Sequence, residues 1–225
     1  MQRRHFLVIL LLLLAGNYSF VSAQNAPSQN KIKVACVGNS ITYGFGIKNR
    51  DSLSYPVQLQ RMMGNGFEVK NFGVNGRTLL KKGDYPYWKE NAFQQVQQWD
   101  PDIIVLMLGT NDTKPWNWRY GNEFASDYTA LLEVFKNLPG HPQIWAALPV
   151  PVFKQNKYQI RDSIIKVEIP IIREVADKEH VHILNLNKAL QPYGKYFFDG
   201  VHPDKIGAYY LAKAVYKKIR HYRKN

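Results

Sequence analysis

The chain is poor in the residues that hold small folds together covalently, with one cysteine, Cys36, in 225 residues. An internal disulfide is excluded, so packing alone must hold the fold. Cys36 lies in an apolar run and is expected to be a small buried hydrophobe rather than a nucleophile. Internal repeats and low-complexity segments are also missing. The one long apolar run, residues 6–15, is too short to span a bilayer comfortably. Acidic residues are scarce: 17 Asp and Glu face 30 Lys and Arg, for a net charge of +13. That balance would suit nucleic acid, an anionic membrane or acidic glycans. The basic residues are scattered, however, apart from the tail 217–224, which reads as the solvated end of a last helix. The charge decides little.

What is present begins with an export signal. Arg3 and Arg4 precede the apolar run, and Val21-Ser22-Ala23 is a small-residue cleavage site, so residues 1–23 read as a signal peptide. An uncleaved anchor is the alternative, although no cysteine at the cleavage site invites a lipid. The mature chain is expected to be secreted or periplasmic, with no stable membrane insertion after cleavage. Its partners are then not expected to include nucleic acid. Residues 24–31 form a polar linker, and residues 32–225 make one domain large enough to bury a proper core.

In that domain short apolar runs alternate with longer amphipathic stretches. Residues 32–37, 67–72, 103–108, 143–148 and 181–186 read as strands, bounded by Gly, Pro, Asn or Asp. Residues 55–63, 87–99, 122–138, 161–178 and 204–222 read as helices. Pro170 should kink or divide the fourth, and Ile206, Tyr210, Ala214 and Val215 should form the buried stripe of the last. The alternation predicts an α/β fold with a parallel sheet of about five strands, covered on both faces. A functional site should then occupy loops at the carboxyl ends of strands.

Four segments carry chemistry, and three of them directly follow expected strands. Gly38-Asn39-Ser40-Ile41-Thr42 sets a serine on a turn, where alone it would read as an N-cap. Asn71 to Thr78 contains Gly76, whose bare backbone N–H could approach a ligand. Gly109-Thr110-Asn111-Asp112 offers an amide donor suited to a developing oxyanion, or simply a turn asparagine. Residues 111–113 also fit a glycosylation sequon, a pattern too common to carry weight. Asp199-Gly200-Val201-His202-Pro203 places an acid and a base three apart, where the carboxylate can fix the imidazole tautomer. Each is weak alone; together they supply a nucleophile, a base, an orienting acid and two oxyanion donors.

In this order, over essentially the whole mature chain, the segments resemble the four sequence blocks of the SGNH (GDSL-type) hydrolases. The resemblance implies a flavodoxin-like three-layer fold and ester hydrolysis without metal or organic cofactor. It implies a catalytic triad of Ser40, Asp199 and His202. It also implies an oxyanion hole built from the backbone N–H of Ser40, the backbone N–H of Gly76 and the side-chain amide of Asn111. Asn39 departs from the pattern, since the family usually has Asp there.

Trp116 and Trp118, with Arg119 beside them, could form a flat stacking wall for a sugar, or else cover the sheet edge. Arg77, Lys154 and Asn156 could add donors. The rim lacks a long aliphatic groove. With export, this suggests removal of a small acyl group, acetyl first, from a carbohydrate. The resemblance is to secreted bacterial carbohydrate O-acetylesterases acting on sialic acid or plant-type polysaccharides. The alternatives are a lysophospholipase or thioesterase using the same triad, and a glycan-binding protein without catalysis.

Overall fold

The computed structural model describes residues 31–223, so the expected signal peptide and all but the last residue of the expected linker lie outside the described residues. One sheet dominates them. Its strands are β1 (Ile32–Gly38), β2 (Phe67–Gly73), β3 (Ile103–Met107), β4 (Gln143–Ala147) and β5 (His182–Leu184). Their order is β2-β1-β3-β4-β5, and every pairing is parallel. After β1 the chain first adds a strand on one side, then returns to the other. Connections therefore diverge above β1 and β3, and that divergence opens a crevice at the strands' carboxyl ends. Gly38, at the end of β1, is in register with Gly73 on one side and Met107 on the other.

The strands send alternate residues to opposite faces, as a pleated sheet must. Ala35, Val37, Ile104 and Leu106 pack against α4 (Asn91–Trp99), α6 (Phe124–Lys136) and α7 (Asp162–Lys178), through Val96, Leu131, Phe135 and Ile172. Val34, Cys36, Val105 and Met107 pack against α3 (Tyr55–Met63) and α9 (Lys205–Ile219), through Leu59, Leu211 and Val215. Four shorter α-helices also occur among the described residues: α1 (Ser40–Tyr43), α2 (Arg50–Leu53), α5 (Pro115–Trp118) and α8 (Leu186–Leu190). The result is the expected α/β/α arrangement. Cys36 is fully buried, and burial pushes its thiol up to about 12 against a weaker lowering by Tyr55. It is inert packing, as expected.

Several details differ from the sequence reading, and the expected helix 87–99 breaks at Glu90, whose backbone is extended, into a short 3-10 turn (Tyr87–Lys89) and α4. Pro170 does not divide α7, which runs unbroken to Lys178. A proline removes one ladder bond, but Pro170 is exposed, so the freed carbonyl one turn earlier can face water. β5 stops at Leu184 because Asn185 caps α8 through its side chain, which accepts from the Lys188 N–H. The buried stripe of α9 is Gly207, Ala208, Leu211, Ala212, Val215 and Ile219, rotated from the expected one, and Ile206 is 39% exposed. The small residues are the cause. A Cβ on Gly207 would lie 2.8 Å from the Pro203 side chain, so this face is the one that can approach its neighbours closely.

Gly73 shows how tightly the first loop is seated. A Cβ there would strike the backbone nitrogen of Tyr43 and lie 2.7 Å from the Thr42 carbonyl carbon. Backbone cannot swing aside as a side-chain tip can. Gly73→Ala is expected to cost about 1–3 kcal/mol, the usual range for overpacking. Urea unfolding should show this as a lower midpoint at unchanged slope; an unshifted midpoint would contradict the packing described.

Candidate active site

Ser40 is the first residue of α1, and Asn39 supplies the cap: its Oδ1 accepts from the Ile41 N–H at 3.1 Å. Gly44, at φ +91°, ends the helix after one turn. The serine is thus held at the crevice on a short, fixed turn. Asn39 is fully buried, and its Nδ2 has no protein partner among the described residues. The neutral amide supplies the cap's acceptor without burying a charge beneath Ser40.

The other end of the chain meets Ser40 here. Oγ of Ser40 lies 2.8 Å from Nε2 of His202, and Nδ1 of His202 lies 2.7 Å from Oδ2 of Asp199. The second Asp199 oxygen accepts the backbone N–H groups of Val201 and His202 at 2.9 and 2.8 Å. Gly200, at φ +89°, makes that tight turn possible; its carbonyl accepts from the Phe153 N–H. Asp204 then caps α9 by accepting from Ile206 and Gly207. The D-x-x-H loop is clamped at both ends.

These contacts set the charges. Burial opposes the Asp199 carboxylate, but the bonds from the His202 backbone, the His202 ring and the Val201 backbone together hold it below the usual carboxylate range. Burial lowers His202 below the ordinary histidine value and outweighs the Asp199 charge, which raises it. The burial has a visible source in three rings around the imidazole. Phe45, Tyr158 and Phe198 stand 4.7, 5.1 and 6.2 Å from it, centroid to centroid. Burial and then the charge of Asp199 raise the Tyr158 hydroxyl.

A cavity of about 240 Å³ opens above the serine, lined among others by Gly76, Arg77, Asn111, Lys114, Tyr85 and Ile160. Gly76 turns at φ +79° with open space where a Cβ would sit. The Asn111 amide donates to the Arg77 carbonyl at 3.0 Å, and as an NH₂ group it keeps a second hydrogen for a ligand. Asp112, fully buried, accepts the N–H groups of Leu79 and Leu80 at 3.0 and 2.7 Å. Asn117 donates to the Asn111 carbonyl and to Asp84, whose N–H it accepts in turn. The loops after β2 and β3 are stitched together wherever they meet the cavity.

The structure therefore brings Ser40, Asp199, His202, Gly76, Asn111 and Arg77 to one place, but not the expected aromatic wall. Trp118 turns toward Phe124 and packs on the core, while Trp116 is bound through its Nε1 to Asp84. Arg119 is exposed and lies over Tyr120. None of the three lines the cavity. Each has a better local partner than the opening: a core surface, a carboxylate and a neighbouring ring. Lys154 donates to the Phe198 carbonyl, Asn156 organises its own loop, and neither lines the cavity. Arg77 is tied to Glu90 at 2.8 Å and to the Asn75 carbonyl. Sequence reasoning missed Phe45, Phe198, Tyr158, Tyr85 and Lys114. Phe45 and Phe198 flank the serine and D-x-x-H segments and could have been found by looking one to three residues outward; Tyr158 had no such signal. Among the described residues no group of three or more His, Cys, Asp or Glu gathers to hold a metal.

An acetylxylan esterase of Xylanibacter ruminicola is 40% identical over 214 residues, covering 87% of this chain. The chain spans 44% of that relative's length. A carbohydrate acetylesterase from Sinorhizobium meliloti superposes with a TM-score of 0.69 at 19% identity, over 84% of this chain and 98% of that one. An aryl esterase from M. smegmatis gives 0.68 at 18% identity with the same coverage. At such identities the structures speak for the fold alone, and the fold is that of the SGNH hydrolases. Residues 36–209 match the GDSL-like Lipase/Acylhydrolase family, and the chain belongs to it.

Proposed function

We propose that the protein is a serine esterase that removes acetyl groups from a carbohydrate, with a plant-type polysaccharide such as acetylated xylan as substrate. The observation that carries this reading is the Ser40–His202–Asp199 relay at the foot of a small cavity that Gly76 and Asn111 also line. His202 takes the proton of Ser40 as Oγ attacks the ester carbonyl. The oxyanion that forms is held by the backbone N–H groups of Ser40 and Gly76 and by the Asn111 amide. Asp199 keeps the imidazole tautomer and stabilises the imidazolium. His202 then protonates the departing sugar hydroxyl, and water repeats the sequence on the acyl-enzyme.

The cavity supports a short acyl group: at about 240 Å³ it lies below the range of roughly 300–1,000 Å³ typical of sites for drug-sized ligands. Its cations support a neutral sugar over sialic acid. Arg77 is paired with Glu90, and Lys114 has Asp84 3.8 Å away, which leaves little net positive charge for a carboxylate. The acetylxylan esterase relative points the same way. We also propose that residues 1–23 export the protein, so that it meets such polymers outside the cytoplasm.

Acetate release from acetylated xylan and from O-acetylated sialoglycan, measured side by side, tests the substrate. Release from xylan is expected, and release from the sialoglycan alone would reverse the choice of sugar. Turnover confined to long-chain nitrophenyl esters would move the reading to lipids. Ser40→Ala should lose roughly four to six orders of magnitude in kcat, and Asn111→Ala about two to three; a variant that keeps its rate removes that residue from the scheme. His202 must be neutral to act, and its pKa lies below the ordinary value. The acid limb of kcat/KM should therefore fall at a pH below about 6.5. A midpoint above neutrality would show that something other than this imidazole is titrating.

A further inference from the structure

One buried acid has no part in the relay. Glu168 lies on α7 with no solvent exposure, and neither of its oxygens has a hydrogen-bond partner among the described residues. It sits under the loop that carries Asn111. A Cβ on Gly109 would lie 2.9 Å from its Oε2, and Gly109 holds a φ of +111° that side chains rarely adopt. The titratable groups that face it are Asp112, on that same loop, and Tyr128, on α6.

Two buried carboxyl groups that face each other without a cation do not both ionise. The donors decide which of them carries the charge. Asp112 accepts two backbone N–H groups from Leu79 and Leu80, and Glu168 accepts none. We propose that Glu168 serves as a neutral carboxylic acid beneath the oxyanion loop, a positioning residue that keeps residues 109–112 in the conformation that aims the Asn111 amide. This rests on the esterase reading for its catalytic consequence, though not for its protonation. Burial, and then the charge of Asp112, raise Glu168 well above the usual carboxylate range, in agreement. When its proton does leave to solvent, a carboxylate forms against Gly109 and below a loop that must receive a second negative charge. The loop then shifts and the oxyanion loses its donor, while substrate binding is spared.

Glu168→Gln keeps the shape and remains neutral at every pH, so it separates protonation from packing. As pH rises above neutrality and Glu168 gives up its proton, wild-type kcat should fall about five-fold or more at constant KM. The Gln variant should match the wild type within about two-fold near pH 7 and hold its plateau. Superimposable profiles, or a tenfold loss in the variant at neutral pH with its fold intact, would overturn the proposal. If neither protein cleaves any ester, the esterase reading has failed and the loop is followed directly. The Asn111 side-chain amide resonance should then titrate with alkaline pH in the wild type and stay still in the variant; equal behaviour in both overturns the proposal. Stability gives the same sign. An acid whose folded pKa is raised keeps its proton when folded after the unfolded chain has lost it, so stability falls as pH rises between the two values. The Gln variant should lack that part of the fall in its urea midpoint.

Discussion

Two backbone N–H groups, those of Leu79 and Leu80, point into the interior, and a single carboxylate, Asp112, answers both. Left unanswered they would cost about 1–3 kcal/mol each. Burial pushes Asp112 up to about 7, with the two backbone bonds working against that rise. The tie is strained electrostatically and still decides the geometry of the crevice. Through it the loop after β2 is fixed to the loop after β3, so Gly76 and Asn111, which come from different loops, keep one spacing. The Asn111 bond to the Arg77 carbonyl and the Asn117 bond to the Asn111 carbonyl work on the same seam.

The second half of the site arrives from the far end of the chain, 162 residues from Ser40. Its placement depends on α9, whose Gly207 and Ala208 let the helix settle close to the elements below it. The Asp204 cap and the Gly200 turn then leave the intervening loop little freedom. Precision of this kind matters because a relay of two short hydrogen bonds tolerates little misplacement. Three aromatic rings around His202 exclude water from it, and the same exclusion lowers its affinity for a proton.

Much of this was legible in the residues. Parallel strands need crossovers, so the alternation of apolar runs and amphipathic stretches was enough for the sheet and both helical layers. The serine, asparagine and D-x-x-H segments stood out because each follows a strand or precedes a helix at a point where a fold can use it. What could not be read was the direction of side chains with several suitable neighbours. Trp118 had a core surface within reach and Trp116 a carboxylate, and nothing in the local sequence ranks those against a sugar. The stripe of α9 lies round from the expected one because Gly207 and Ala212, being small, let that face approach its neighbours. Tyr158 comes from an irregular loop, where no periodicity announces a role.

The site also limits where negative charge can reside. In the proposed reaction an imidazolium and an oxyanion form close together, and a further carboxylate nearby would compete for the first and repel the second. Among the described residues only Asp199 stands against the imidazole, and its backbone and ring bonds keep it ionised. Asn39, at the position where the family usually places an acid, keeps the capping acceptor and removes the charge. Glu90 and Asp84 are engaged by Arg77, Trp116 and Asn117. Asp112 is turned toward two N–H groups, and Glu168 is left where ionisation is most costly. An ester carbonyl above Ser40 would therefore meet donors on the Gly76 and Asn111 side and a single paired carboxylate behind the base. That asymmetry favours the charge-separated state over the neutral one, and it arises from placing acids against donors rather than from any excess of basic residues.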